Sequence, residues 1–322
     1  MTLWKRTRHR IEEAACKALA QGIPRLPRRA IVALARTLGE MAFTIDRRGR
    51  AVALANLECA FGEGFTPEQR AGIARRSYGN FARTMLDLFW ASRMPRETFA
   101  QYFRMEGFEP LIARLESEQC GAVLMCAHQG NWEWASLACG FLGLHTTIVA
   151  EDFKNSRLTA LFSHLREVSG HRIIAQEQAI LRLLRAAQRG GRTGMLIDLS
   201  LRPSRAATIV TAFGMEMCVP ALHGIIARRA GALLIPIETE PLSDGTCRII
   251  AHLPVEYAPS MSAQEIAQRC WDVFERIIVA RPHEYLWPYK HFRYRPKGAA
   301  VRYPFYANES LKFEKLRAGI TV

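Results

Sequence analysis

The 322-residue chain lacks any apolar run long enough to cross a bilayer. No window approaches the roughly 18 uninterrupted apolar residues that a membrane-spanning helix requires. We also expect no secretory signal peptide, because the basic start of the chain runs into Glu12, Glu13 and Lys17 instead of an apolar stretch. The sequence therefore predicts no transmembrane helix, and any membrane contact is expected to be peripheral and made from the cytosolic side.

Paired cysteines, repeats and low-complexity tracts are also missing. The eight cysteines are scattered, and no two of them form a C-x-x-C pair. This spacing fits neither a disulfide scaffold nor a zinc site, and reduced thiols in a cytosolic compartment suit it best. With 49% hydrophobic residues, the chain is able to bury one large core, or a core and a small helical lobe.

Acidic residues are the minority among the charged ones, and the formal net charge is +14. Basic residues cluster near the amino end, among them Arg25, Arg28, Arg29, Arg47 and Arg48. Between these clusters, apolar residues recur at steps of three and four: Ile31, Leu34, Leu38, Met41 and Ile45. The pattern predicts an amphipathic helix with basic ends. Such a helix either packs on the protein core or lies on an anionic bilayer, and in the second case those five arginines contact lipid head groups.

The charge alone also suggests a nucleic-acid-binding protein. However, the sequence contains no recognised binding motif, and its aromatic residues do not interleave with the basic ones in a repeated platform. We therefore expect no nucleic-acid partner. The sequence does not fix the oligomeric state, and we favour a monomer.

The most informative stretch runs from Gly121 to Trp134, where an apolar run stops at a histidine. Residues 123–125 predict a short buried strand, Gly130 helps to break it, and a helix is predicted to begin at Trp132. His128 is then expected in the turn at the carboxyl end of a strand, which is where open α/β sheets place their active sites.

His128 is followed five residues later by Glu133, and an imidazole beside a carboxylate is able to act as a general base. The two side chains are better placed for contact if the histidine lies in the loop and the glutamate on the first helical turn. The spacing alone is weak, because chance predicts about one such pair in this composition. A histidine after a strand is more often a hydrogen-bonded structural residue.

Strands and helices are predicted to alternate from residue 120 onward. The predicted strands are Ala122–Ala127, Thr146–Ala150, Arg172–Ala175, Thr193–Asp198, Thr208–Ala212, Leu233–Glu238 and Cys247–Leu253, and the main predicted helices are Ser156–Val168, Gln178–Arg189, Pro220–Ala230 and Ala263–Ala280. This alternation indicates an α/β fold with a mostly parallel sheet covered by helices on both faces. No linker divides the chain, so residues 111–322 are expected to form one α/β core, with residues 1–110 as a helical, membrane-facing amino-terminal extension.

The segment His128–Trp134 (HQGNWEW) resembles the H-x-G-N-W-E signature of the lipid A late acyltransferases, a family in the lysophospholipid acyltransferase superfamily that adds lauroyl or myristoyl chains. Four further elements are similar to that family and occur in its order. They are N-L-x-x-A-F from Asn56 to Phe61, R-x-Y-x-x-F from Arg76 to Phe81, the pair of F-G at Phe213-Gly214 with G-A-x-x-x-P from Gly231 to Pro236, and a closing segment from Pro282 to Phe292.

The resemblance implies transfer of a fatty acyl chain from an acyl thioester, on acyl carrier protein or coenzyme A, to a hydroxyl of a lipid A-type precursor or related glycolipid. His128 is then the general base, held in its tautomer by Glu133 or Asp198, and the sequence leaves open which acid touches the ring. Arg166 matches a functional arginine of the family. The remaining acid is expected to orient the site or to pair with that arginine.

Other expectations concern the substrates and the membrane. The resemblance implies that five residues bind the substrates: Gly130, Asn131, Trp132, Phe213 and Gly214. The backbone amides of the Gly130-Asn131 turn, or Arg166, are candidates to stabilise the oxyanion. We expect no metal and no cofactor. The expected partners are acyl carrier protein, whose acidity suits a basic surface, and an anionic membrane at the cytoplasmic face of the inner membrane.

The chain departs from the family at two positions. Ser200 replaces the second acid of a D-x-D element that begins at Asp198, and Glu151 stands where the family commonly has an arginine. These departures leave two alternatives open: a different lipid acceptor, such as a lysophospholipid or an aminolipid, or a catalytically dead lipid-binding scaffold. Retention of His128, Glu133, Arg166 and Asp198 together argues against the scaffold.

Overall fold

A parallel β-sheet lies at the centre of the computed structural model, which describes residues 3–150, 155–175 and 179–320. In these ranges the strands are β1 (Phe103–Glu106), β2 (Ala122–Cys126), β3 (Thr147–Ala150), β4 (Arg172–Ala175), β5 (Arg192–Leu196), β6 (Ala207–Ala212), β7 (Met215–Pro220), β8 (Leu233–Pro241) and β9 (Cys247–Ala251). Seven of them form the main sheet in the order β1-β9-β8-β2-β5-β3-β4, and β6 pairs with β7 in a separate hairpin. Every pairing in the main sheet is parallel except that of β8 with β9.

Helices surround this sheet. They are α1 (Leu3–Gly22), α2 (Arg28–Ile45), α3 (Arg47–Phe61), α4 (Pro67–Trp90), α5 (Phe108–Glu118), α6 (Trp132–Phe141), α7 (Ser156–Glu167), α8 (Ala179–Gln188), α9 (Leu222–Ala230), α10 (Ala263–Ala280) and α11 (Leu311–Arg317). Capping boxes mark the starts of α4 and α10, at Thr66 with Gln69 and at Ser262 with Glu265.

Strand β2 shows how both faces of the sheet are covered. Val123 and Met125 point into a core formed with α8, α9 and α10, whereas Ala122 and Leu124 point into a second core formed with α5 and α6. A strand buried on both faces reads as a continuous apolar run, which is why the sequence predicted it. The predicted α/β class, with a mostly parallel sheet and helices on both faces, is confirmed.

Two predicted details were wrong, and one predicted strand lies outside the main sheet. Residues 103–106 form β1 and join the sheet beside β9, although they fall in the range expected to be helical. Met215–Pro220 forms β7, so the helix expected from Pro220 begins only at Leu222. The predicted strand at Thr208–Ala212 exists, but it belongs to the β6–β7 hairpin and not to the main sheet.

Helix α2 packs closely along α4. Its buried residues are Ile31, Ala35, Gly39 and Phe43, at successive steps of four. Gly39 permits the close approach, because a Cβ atom there would lie only 2.4 Å from the Cα of Gly79. The predicted apolar stripe is therefore divided into a buried part that begins at Ile31 and an exposed part.

The remaining outward residues of the stripe leave an apolar surface on α2. Leu38, Met41 and Ile45 have exposed fractions of 39%, 52% and 74%. No described helix combines the length and the apolar character needed to span a bilayer.

Candidate active site

His128 and Asp198 meet because β2 and β5 are adjacent parallel strands in register. Cys126 pairs with Leu196 at the ends of these strands, and His128 and Asp198 each follow two residues later. The ring Nδ1 of His128 lies 2.8 Å from Asp198 Oδ1, and the His128 amide donates to Oδ2 at 3.0 Å. Asp198 is therefore the acid that touches the ring, which the sequence had left open.

Burial and hydrogen bonding together determine which ring nitrogen of His128 is the basic atom. Asp198 has no exposed side-chain surface, while the His128 side chain is 11% exposed. Burial works to raise the pKa of Asp198, but attraction to His128 and hydrogen bonds from it prevail and hold that pKa below its usual value. A carboxylate that accepts the Nδ1 proton leaves Nε2 of the imidazole as the basic atom. Among the described residues, Nε2 makes no hydrogen bond.

The His128 loop, defined as residues 128–131, has a conformation that requires glycine. Gly130 has a φ of +60°, and a Cβ atom there would lie 2.2 Å from the carbonyl oxygen of Thr239. Both the left-handed backbone and the close approach exclude a side chain. The Thr239 hydroxyl, near the carboxyl end of β8, donates to the carbonyl of Gln129 at 3.1 Å.

The backbone amides of this loop already have partners. The Gly130 amide donates to the Glu284 carbonyl at 3.2 Å, and the Asn131 amide donates to the Thr239 hydroxyl at 2.7 Å. The idea that these two amides stabilise an oxyanion is therefore wrong for this conformation, because an amide already engaged in a buried hydrogen bond has no proton to offer. Arg166 remains the candidate.

Glu133, which is buried, forms an ion pair with Arg166, which is partly exposed. Glu133 lies on the first turn of α6, as expected, and Arg166 lies near the end of α7. The guanidinium contacts both carboxylate oxygens, with Nη2 to Oε1 at 2.6 Å and Nε to Oε2 at 3.0 Å. Burial alone would lower the pKa of Arg166, but Glu133 raises it above its usual value and keeps the guanidinium charged.

Aromatic rings separate His128 from solvent on one side. The Trp132 ring lies edge-on to the His128 ring with centroids 4.9 Å apart, and Phe81 of α4 stacks on Trp132 at 6.2 Å. Phe81 is 39% exposed. An apolar wall thus runs from the molecular surface to the histidine.

The resemblance-based substrate residues do not all gather at this wall. Phe213 and Gly214 form the turn of the β6–β7 hairpin, with φ of 51° and 73°. They line a groove of about 620 Å³ together with residues 58–70 and 301–302, and none of the four catalytic candidates lines it. The structure therefore does not bring Phe213 and Gly214 together with His128.

The arginines expected at the membrane also divide. Arg25, Arg29, Arg47 and Arg48 have exposed side chains. Arg28 was wrongly included with them: its guanidinium pairs with the buried Asp87, and its side chain is only 10% exposed. A buried, paired arginine is not available to lipid head groups.

Sequence reasoning missed the polar residues that support the loop from α4. Asn80 donates to the Gly130 carbonyl at 2.8 Å, and Thr84 donates to the same oxygen at 3.0 Å. Ser77, Asn80, Thr84 and Asp87 recur at helical spacing on one side of α4. Polar residues at helical spacing on one side of α4 were the available signal.

The two positions that depart from the family pattern are Ser200 and Glu151. Ser200 is buried near the Asp198 strand end, and its carbonyl accepts a hydrogen bond from the Tyr289 hydroxyl at 3.3 Å. Glu151 lies outside the described residues. Across the described ranges, no three side chains of histidine, cysteine, aspartate or glutamate come together as a metal site.

Comparisons with known proteins agree with this geometry. A family model for bacterial lipid A biosynthesis acyltransferases matches residues 8–294. The lipid A biosynthesis lauroyltransferase of Escherichia coli K12 is 21% identical over 287 residues, which cover 87% of this chain and 91% of that protein. A family-model match across nearly the whole chain is decisive for family membership. The chain belongs to the bacterial lipid A biosynthesis acyltransferase family.

Proposed function

We propose that this protein transfers a fatty acyl chain from an acyl thioester to a hydroxyl of a lipid A-type precursor or a related glycolipid. The observation that carries the proposal is the 2.8 Å contact between His128 and the buried Asp198 at the carboxyl edge of the sheet. The family match and the relative named a lauroyltransferase support the reaction class and the acceptor class. The length of the transferred chain is left open.

In this mechanism Nε2 of His128 removes the proton of the acceptor hydroxyl as its oxygen attacks the thioester carbonyl. Asp198 holds the Nδ1 proton and stabilises the imidazolium that forms. Collapse of the tetrahedral intermediate breaks the carbon–sulfur bond, and the leaving thiolate takes the proton back from the imidazolium. No covalent acyl-enzyme is required.

Arg166 supplies positive charge for the negative oxygen of that intermediate in our proposal. Its bidentate contact with Glu133, five residues after His128 in the chain, fixes the plane of the guanidinium. A preorganised cation in a partly dry site stabilises developing negative charge without having to reorganise.

The donor is proposed to be acyl carrier protein or acyl-coenzyme A, with no further cofactor. A formal net charge of +14 favours acidic or phosphorylated donors by steering them toward the enzyme. Kinetic comparison of the two donors with one acyl length, at two ionic strengths, distinguishes them by their kcat/KM values.

We also propose peripheral binding to the cytoplasmic face of the inner membrane through α2. The exposed Leu38, Met41 and Ile45 supply apolar area beside basic residues at both ends of the helix. Each exposed arginine near an anionic surface contributes about 1 kcal/mol, screened by salt.

Vesicle sedimentation tests this surface. Changing Arg25, Arg29, Arg47 and Arg48 to glutamine should weaken binding to anionic liposomes, and binding should fall as salt rises. A matched control changes four exposed arginines elsewhere, Arg182, Arg185, Arg228 and Arg229. Equal losses in both variants, or no binding to any liposome, would refute the proposed surface.

Mass spectrometry of cell lipids tests the reaction itself. Lipids from cells with the gene, without it, and with the His128→Ala variant are compared. We expect one lipid class to lose an acyl chain in the second and third samples. Identical lipids in all three samples would contradict the proposed acyl transfer, and a changed lysophospholipid or aminolipid would replace the acceptor.

A further inference from the structure

Asp87 is a fully buried acid of α4 that reaches the catalytic loop from the amino-terminal helices. Its carboxylate oxygen Oδ2 accepts a hydrogen bond from the side-chain amide of Asn131 at 2.7 Å. Its backbone carbonyl accepts another from the indole of Trp134 at 3.1 Å. One residue of α4 therefore contacts both the His128 loop and the first turn of α6.

Two arginines hold the Asp87 carboxylate in place. Arg28, the first residue of α2, contacts both carboxylate oxygens, with Nη2 to Oδ2 at 2.8 Å. Arg83 lies 3.6 Å away on the other side. The Arg28 guanidinium is itself fixed between Trp90 and Trp134, whose ring centres lie 5.0 and 4.4 Å from it. A carboxylate with this many directed donors has one defined position.

Asn131 connects Asp87 to the start of α6. Its Oδ1 accepts the Trp134 amide at 3.1 Å and so caps α6, while its Nδ2 donates to Asp87. Reversal of the side-chain amide would lose both bonds at once. Asp87 thus dictates which atom of Asn131 faces the helix, and α6 begins at Trp132, beside the His128 ring.

We propose that Asp87 is a positioning residue for acyl transfer, acting through Asn131 on the first turn of α6. The proposal rests on the proposed function, because that turn carries Trp132 and Glu133. It makes the amino-terminal helices part of the framework of the active site, in addition to any contact that they make with a membrane. A site with such support keeps its reacting groups within the small tolerance that catalysis needs.

A double-mutant cycle on the purified full-length protein tests this coupling. Asp87→Asn and Asn131→Ala are measured singly and together with an acyl thioester donor and a lipid acceptor. Each single change should lower kcat by about 10- to 100-fold with KM little altered, since a misplaced turn impairs the reacting geometry. The double variant should be no slower than the slower single variant, because both changes break one contact.

Ile73→Ala is the matched control on α4. Ile73 is buried in the core formed with α8, α9 and α10 and makes no hydrogen bond to the His128 loop. Its truncation should therefore lower stability and leave kcat unchanged. Multiplied losses in the double variant, or a folded Asp87→Asn protein with near-normal kcat, would overturn the proposal. If Asp87→Asn does not fold, Asp87→Glu keeps the charge for the arginines, displaces the carboxylate, and enters the same cycle.

Hydrogen exchange provides a readout that does not depend on turnover. Amides in the first turn of α6 should exchange faster in the Asp87 variant, while those of α10 should not change. Unchanged exchange in α6 contradicts the positioning role even if the wild-type protein transfers no acyl group. A failure of the proposed function is thereby separated from a failure of this inference.

Discussion

His128 and Glu133 are five residues apart, yet they belong to two side-chain pairs that are built differently. The pair of His128 with Asp198 joins the ends of two adjacent parallel strands. The pair of Glu133 with Arg166 joins two helices. Strand register fixes backbone positions, so the first pair is held at both ends by the sheet, whereas the second depends on the reach of a long side chain.

The two pairs also differ in contact with solvent. Asp198 is fully buried and the Arg166 side chain is 25% exposed. In the proposed mechanism the strand-built pair moves a proton, and the sheet fixes the backbone positions of both residues. The helix-built pair presents a charge to the substrate in the same proposal, and its cation is partly exposed.

Loss of the base should have the largest effect. His128→Ala should lower the acyl-transfer rate by about 10²- to 10⁴-fold while leaving the fold intact, because a positioned base contributes that much. The measurement is steady-state turnover of purified protein with a defined thioester. His164→Ala, at an exposed position on α7, is the control and should keep wild-type turnover. Near-normal turnover without the His128 ring would remove it from the mechanism.

Breaking the helix-built pair should have a smaller effect. Arg166→Gln should lower kcat by about 10- to 100-fold, as expected for one lost electrostatic contact to the oxyanion. Arg157→Gln on the same helix is the matched control, since Arg157 pairs with Glu13 at an exposed position. If the two variants retain equal activity, the charge at residue 166 has no catalytic role.

The buried His223 sharpens the contrast with His128 and should give the smallest effect, on stability alone. Among the described residues, neither of its ring nitrogens has a hydrogen-bond partner. Burial lowers its pKa from 6.5 to about 4. The unfolded chain therefore binds more protons between these values, so the free energy of unfolding falls as the pH falls from about 6.5 to 4.

The His223→Leu variant removes this contribution. Between pH 7 and pH 4, the wild-type protein should lose up to about 3 kcal/mol more stability than the variant. Denaturant unfolding at the two pH values measures the difference, and His164→Leu serves as the exposed control. Equal pH dependence in the wild-type and His223→Leu proteins would show that His223 is protonated similarly in the folded and unfolded chains.

The sequence predicted the elements whose signals are local. A continuous apolar run identified β2, and the Gly130 break placed His128 in a loop and Glu133 on the first turn of the next helix. Strand β1 was not predicted, because it has only four residues and alternates in burial at the edge of the sheet. The β6–β7 turn contains Phe213 at a positive φ, which its residue type does not predict.

The partner of His128 was beyond sequence reasoning, because it depends on which strands are neighbours. Asp198 is near His128 only because β5 lies beside β2 in a register that pairs Cys126 with Leu196. The burial of Arg28 likewise depends on the distant Asp87, so its position among exposed arginines was misleading. Family resemblance supplied the identities of the four catalytic candidates, and tertiary structure supplied their pairing.

The pH dependence of kcat/KM in the Asp198→Asn and Glu133→Gln variants tests the central claim most directly. We predict that Asp198→Asn moves the acidic limb of the profile to lower pH, because the protonated imidazole loses its stabilising anion. Glu133→Gln should lower the maximum rate and leave the limb in place. A shifted limb in Glu133→Gln together with an unshifted one in Asp198→Asn would contradict the assignment of Asp198 as the partner of His128.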